Sequence, residues 1–230
     1  TNFEIKLSTP SIIFEQEKLI TRQILGKRIV ATLDEVNFFT DQTTYVINTK
    51  GTKQTLKYLL CILNSKLIFY YFINTSSDNK IVFPKVKRSQ LLELPFIENI
   101  NQQPFIEKAD LMLLLNKELQ ELSQKFQRTL EREFFYKGLK PLANSPANPL
   151  PKKLQDWYVL SFAEFIKELE NKKVKLSLSQ KAEWEDYFLQ ESKKALVLKT
   201  QINTTDKDID AMVYELYGLT VEEIKIVENS

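Results

Sequence analysis

Hydrophobic and polar positions alternate along the first fifty residues and then change period. Leu19-Ile-Thr-Arg-Gln-Ile24, Arg28-Ile-Val-Ala-Thr-Leu33 and Thr43-Thr-Tyr-Val-Ile-Asn48 are short runs rich in β-branched residues, the first two separated by Gly26. They predict three strands of one largely antiparallel sheet. Thr55 then offers an N-cap, and Leu56, Leu59, Leu60, Leu63, Leu67 and Tyr70 recur at steps of three and four, which predicts one apolar helix through Asn74. A polar loop, Thr75 to Lys80, leads into Ile81-Val-Phe-Pro84 and a basic segment, Lys85 to Pro95, whose prolines close the unit.

From Gln103 the period is helical. Met112, Leu115, Leu119, Leu122 and Phe126 follow a seam spacing in a helix expected from Pro104, in its first turn, to about Tyr136. So short a seam suits a packed helical hairpin better than a free coiled coil. Gly138 to Lys153 holds four prolines and no apolar period, so it reads as a loop or linker. Beyond it, Ser161-Phe-Ala-Glu164 is a capping box ahead of Phe162, Phe165, Ile166 and Leu169. Trp184, Phe188, Ala195, Leu198 and Ile202 form a second stripe. Thr205-Asp-Lys-Asp208 is expected to start a third helix ending at Gly218 in a left-handed cap, and Thr220 starts a last short one. The pattern is an α+β chain: a mixed, largely antiparallel sheet domain over residues 1–98, then a helical region over 99–230 with a Pro-rich loop at 138–153.

Composition removes whole chemistries. The 230 residues include no histidine, one cysteine (Cys61) and four glycines, Gly26, Gly51, Gly138 and Gly218. Without histidine there is no Ser-His-Asp or Cys-His nucleophile. A lone cysteine removes disulfides and Cys/His zinc sites, and Cys61 on the apolar helix reads as an inert buried thiol. Glycines this sparse cannot build a phosphate cradle, so no cofactor is expected on this chain. Leu56 to Ile73 is long enough to span a membrane, but Lys57, Asn64, Ser65 and Lys66 interrupt it, so it reads as a buried helix with no membrane role. Thr1 to Leu7 carries no secretory pattern, the missing disulfide framework suits the cytoplasm, and the absent initial methionine suggests a piece of something longer.

Net charge is only +2, yet Gln42 to Leu92 carries eight basic residues against a single acid, Asp78. Lysine and arginine there would neutralise phosphates, with a solvated basic face as the plainer alternative. The tightest cluster is Lys85-Val-Lys87-Arg88, where alternation puts both lysines on one side of an extended segment. Lys50, Lys53, Lys85, Lys87 and Arg88 are the candidate phosphate contacts. Base edges would be read by Arg22 or Arg28 and by the polar-aromatic loop holding Asn37, Phe38, Thr40 and Gln42. For Phe38 and Phe39, packing of one ring into the core is the favoured expectation. Asp206, Asp208 and Asp210, and Glu183, Glu185 and Asp186, are acidic clusters. Asp206 and Asp208 are expected to cap the helix starting at Thr205. Glu4-Ile-Lys6 and Glu223-Ile-Lys225 match half of a nuclease metal motif with no Pro-Asp partner.

Lys18-Leu-Ile-Thr-Arg-Gln-Ile24, Tyr45-Val-Ile47, Leu56 to Lys66 and Phe83 to Pro95, in that order, resemble the TaqI-like C-terminal specificity domain of restriction-modification methyltransferases. Gln103-Pro-Phe-Ile106 and Ile209 to Ile224 are similar to the helices and tail that follow such domains. The resemblance implies a module that reads double-stranded DNA beside an adenine-specific, S-adenosylmethionine-dependent methyltransferase domain of the same polypeptide, sometimes with a nuclease. The chain lacks the Asn-Pro-Pro-Tyr motif and a glycine-rich cofactor motif, so no catalytic residue carries over. The alternatives are a helical protein-interaction module without DNA binding, and an independent nuclease using the Glu-x-Lys tripeptides or the acidic clusters.

Overall fold

The computed structural model describes residues 5–6, 14–26, 28–49, 52–75, 85–135 and 150–230. The chain forms two compact units, one of residues 1–112 with 205–230 and one of residues 113–204. The sequence divides by period near residue 98; the first unit is completed by chain that returns from the far end.

Strands β1 (Ile5–Lys6), β2 (Lys18–Arg22), β3 (Ala31–Asp34) and β4 (Thr44–Ile47) form an antiparallel sheet of order β1-β4-β2-β3. The three expected strands are present, with β3 starting only at Ala31, and β1 adds an edge. In β4 the consecutive residues Tyr45, Val46 and Ile47 are all buried, as befits an inner strand covered on both faces. Helix α1 (Leu56–Asn64) packs on β2 and β3, capped by Thr55, whose hydroxyl accepts the Tyr58 N–H.

The single helix expected through Asn74 is instead two, α1 and α2 (Lys66–Thr75), bent by 61° at Ser65. Polar side chains drive the break. Asn64 bonds both backbone groups of Ala31, its amide oxygen accepting the N–H at 2.7 Å and its nitrogen donating to the carbonyl at 3.0 Å. Ser65 turns to extended backbone, donates its hydroxyl to the Ile62 carbonyl at 2.7 Å, and accepts the Ile68 N–H. Among the described residues no single helix is long and apolar enough to cross a membrane. Cys61 is buried as expected: its thiol donates to the Phe105 carbonyl at 3.4 Å, and burial pushes its pKa up to about 12.

After α3 (Arg88–Leu92) comes α4 (Gln103–Leu130), which continues in a π-helical turn to Phe135; the Tyr136 limit and most of the Pro-rich loop lie outside the described residues. The later helices are α5 (Lys152–Gln155), α6 (Phe162–Asn171), α7 (Leu178–Leu216) and α8 (Val221–Glu228). In the second unit, Phe126 of α4 stacks on Trp157, centroids 3.6 Å apart, and meets Phe165, Trp184, Tyr187 and Phe188. These aromatics at helical spacing are core. The Ser161 capping box forms as predicted, Thr220 starts the last helix as expected and does so with a capping box of its own, and Gly218 adopts φ +66° at the α7 terminus.

One helix start is corrected. α7 runs uninterrupted through Thr205, which is buried, so Asp206 and Asp208 lie in mid-helix and cap nothing there. Their partners are distant in sequence. Arg28 donates to Asp206 at 2.9 Å and lies 3.6 Å from Asp210, while Lys108 donates to Asp208 at 2.7 Å. Asp210 accepts the Lys66 N–H at 2.8 Å and so caps α2 instead of its own helix. Glu228 of α8 pairs with Lys66 and accepts the Tyr214 hydroxyl at 2.7 Å, and Tyr217 donates to the Pro95 carbonyl.

Candidate nucleic-acid interface

The basic segment ahead of α3 meets the sheet at one point. Lys85 bridges Ile24 in antiparallel fashion, and the Val86 N–H donates to the Gln23 carbonyl at 2.7 Å. Gln23 in turn donates its own N–H to the Thr43 carbonyl at 2.9 Å, and the Tyr45 hydroxyl donates to the Val86 carbonyl at 3.0 Å. Val86 is thereby buried while Lys85 and Lys87 are exposed, the alternation that the sequence predicts. Gln90 then accepts the Lys87 N–H at 2.8 Å, which starts α3 and sets Arg88 at its head.

These contacts wall a groove of about 750 Å³ in the first unit, and Thr40, Gln42, Lys85, Lys87 and Arg88 all line it. Five sequence candidates, from two loops more than forty residues apart, therefore share one surface. Phe14, Gln23 and Asp41 also line it and were not singled out from sequence, because only the fold brings them there. Gln23 offered the faintest signal, a polar residue inside a strand pattern. Asp41 holds the turn after the loop: its carboxylate accepts the Thr43 hydroxyl at 2.5 Å and the Thr43 N–H at 2.9 Å, bonds that lower its pKa in that order. The groove thus presents cations with one fixed anion among them.

Other candidates lie elsewhere. Arg22 is exposed at the end of β2, opposite Thr44, which lines the groove. Lys53 is exposed before α1, where its carbonyl accepts Gln102 Nε2 at 3.0 Å, and it does not line the groove. Lys50 and Glu4 lie outside the described residues. Arg28 is not brought to the groove: its guanidinium is taken by Asp206 and Asp210. Burial raises the Asp210 carboxyl, opposed by the Lys66 N–H and the Arg28 charge. Lys57 and Lys66, counted in the basic stretch, pair with Asp110 and Glu228. The effective positive field is consequently narrower than the sequence stretch.

The loop between β3 and β4 departs from expectation. Neither phenylalanine enters the core: Phe38 is 65% and Phe39 64% exposed. The cause is Asp34, whose carboxylate accepts the Val36 N–H at 3.1 Å and the Phe38 N–H at 2.8 Å, folding the chain outward through Asn37 at φ +61°. Asp34 pairs with its cross-strand partner Lys18, which is fully buried and also donates to the Phe14 carbonyl at 2.8 Å. Burial alone would raise the Asp34 carboxyl, but the Lys18 ammonium and the two backbone N–H groups together hold it below its ordinary value.

Among the described residues no group of three or more His, Cys, Asp or Glu side chains is arranged to hold a metal. Glu223 of the second Glu-x-Lys tripeptide is occupied as a cap, accepting the Thr220 N–H at 2.7 Å and hydroxyl at 3.0 Å.

Residues 2–96 match the family model of the TaqI-like C-terminal specificity domain, and the chain carries that domain, a specificity domain of restriction-modification enzymes. Residues 98–213 match the model described as a domain of unknown function (DUF8810), and the chain belongs to that family. No curated protein and no solved structure matched the chain.

Proposed function

We propose that this chain is the DNA-reading module of a restriction-modification enzyme and selects the sequence on which an adenine-specific, S-adenosylmethionine-dependent methyltransferase domain of the same polypeptide acts. The supporting observation is the convergence of Thr40, Gln42, Lys85, Lys87 and Arg88 on one groove within the specificity domain. Lys85, Lys87 and Arg88 hold phosphates and release counterions. Gln42 is suited to an adenine edge, and Arg22, at the end of β2, to a guanine. Asp41 repels phosphate from its part of the groove and suits a cytosine amino group, which separates base contacts from backbone contacts. Cofactor and chemistry belong to the methyltransferase domain in this reading.

The test is to replace Lys85, Lys87 and Arg88 with alanine in the full-length protein and titrate duplex DNA at two salt concentrations. Affinity is expected to fall roughly a hundredfold or more, and the salt slope by roughly 0.9 for each phosphate no longer neutralised. Unchanged affinity and slope would overturn the assignment.

A second reading, a protein-interaction module, has its support in Leu189, Leu196 and Val197, exposed together along α7. Light scattering that shows self-association, together with no salt-dependent DNA binding, would favour it.

A further inference from the structure

We infer that the tip between β3 and β4 is an apolar wedge that stacks on the bases of a duplex held in the groove, an inference that rests on the function proposed above. Val36, Phe38 and Phe39 are 74%, 65% and 64% exposed within four residues of chain. Two aromatic rings left in water on so short a tip are a surface that gains when it is covered, since each carries a large apolar area and a π-face that accepts any base.

The tip is pre-shaped. Asp34 fixes the Val36 and Phe38 N–H groups, and buried Lys18 fixes Asp34. Phe39 stacks on Phe14, ring centroids 5.0 Å apart and planes 27° from parallel. Little ordering entropy then remains to be lost when the rings meet a partner. This arrangement leaves Phe38 as the ring without a stacking neighbour among the aromatic pairs of the described residues.

Position selects the occupant. Phe14, beneath Phe39, and Thr40, the next residue, line the same groove as Lys85, Lys87 and Arg88. An apolar tip continuous with a cationic groove matches a polyanion whose bases lie beside its phosphates. Proteins that insert apolar side chains between base steps pair a hydrophobic wedge with phosphate-holding cations in this way. A purely apolar protein partner would make no use of the basic side chains that line the groove.

The test uses the full-length protein, Phe38→Ala and Phe38→Trp variants, and duplexes enriched from a randomised pool by the wild type. Phe38 is exposed, so neither substitution removes a core contact. Phe38→Ala is expected to weaken binding roughly tenfold with the salt slope unchanged, because stacking releases no counterions. Phe38→Trp is expected to bind as the wild type does, with its added fluorescence quenched by the duplex beyond any change of Trp157 and Trp184 in the wild type. If the wild type binds with a steep salt slope but Phe38→Ala binds equally well and the new tryptophan is not quenched, the wedge is overturned and the proposed function stands. If the wild type binds no duplex, both fall.

Discussion

The first unit treats its basic side chains in two opposite ways. Lys85, Lys87 and Arg88 stand exposed on a groove wall, in a segment that the backbone of Val86 fastens to the sheet. Lys18, Arg28, Lys66 and Lys108 are each tied to a carboxylate, of Asp34, Asp206, Glu228 and Asp208. In sequence the two sets look alike. What separates them is where the acids return: Asp206, Asp208 and Glu228 belong to the far end of the chain, which completes the same unit. Positive charge signals a partner only after the internal partners have been assigned. In this unit the internal set ties distant parts of the chain together, and the groove set shares one exposed surface.

The largest expected effect that would break this division is at the buried pair. Asp34→Ala leaves the Lys18 ammonium without its carboxylate in the interior and frees two backbone N–H groups, a loss of about 3–5 kcal/mol. Chemical denaturation monitored by circular dichroism measures it. A loss below about 1 kcal/mol would mean the pair is not an internal fastening. The same carboxyl predicts acid sensitivity. Its folded pKa lies below the ordinary 3.8, so its stabilising contribution is complete above that value and is lost as pH falls through the folded pKa. Wild-type stability should therefore fall faster below about pH 3.8 than that of Asp34→Asn.

Arg28 tests the comparison more sharply, since by residue type alone it is a candidate base reader. Arg28→Met leaves Asp210 buried with less compensation, at an expected cost of about 2–3 kcal/mol. Duplex affinity, measured where the variant is folded, should stay within twofold or so of wild type if Arg28 does not touch DNA. The reverse pattern, full stability with weakened DNA binding, would move Arg28 to the functional set.

The strands, the capped helices and the Lys85 to Arg88 alternation were legible because each depends on local period or local capping. The break at Ser65 was not, because Leu56 to Asn74 keeps a helical period throughout. Its causes are Ala31 and Asp210, the latter 144 residues away. Thr205-Asp-Lys-Asp208 failed in the opposite direction. It has the composition of a helix start, but the long helix passes through it because Arg28 and Lys108 satisfy its acids. The groove was half legible for the same reason. Its cations share a local segment, whereas Phe14, Gln23 and Asp41 are brought to them only by strand pairing. The outward phenylalanines ran against expectation because hydrophobicity favours the core, and nothing local reveals that a buried lysine holds Asp34 in place to turn the loop out.

The smallest expected effect defines the edge of the functional set. Lys53 is as exposed and as basic by composition as Lys85, yet it stands before α1, anchored by Gln102 and off the groove wall. Single Lys85→Ala should lower the salt slope of duplex binding by roughly 0.9, one phosphate contact, while Lys53→Ala should leave the slope unchanged. Neither side chain fastens a carboxylate among the ion pairs of the described residues, so thermal stability should be the same in both variants and in the wild type. The paired measurement therefore isolates position from charge. An equal fall in slope for both would extend the DNA footprint to the start of α1 and turn the groove from the boundary of the contact surface into its centre.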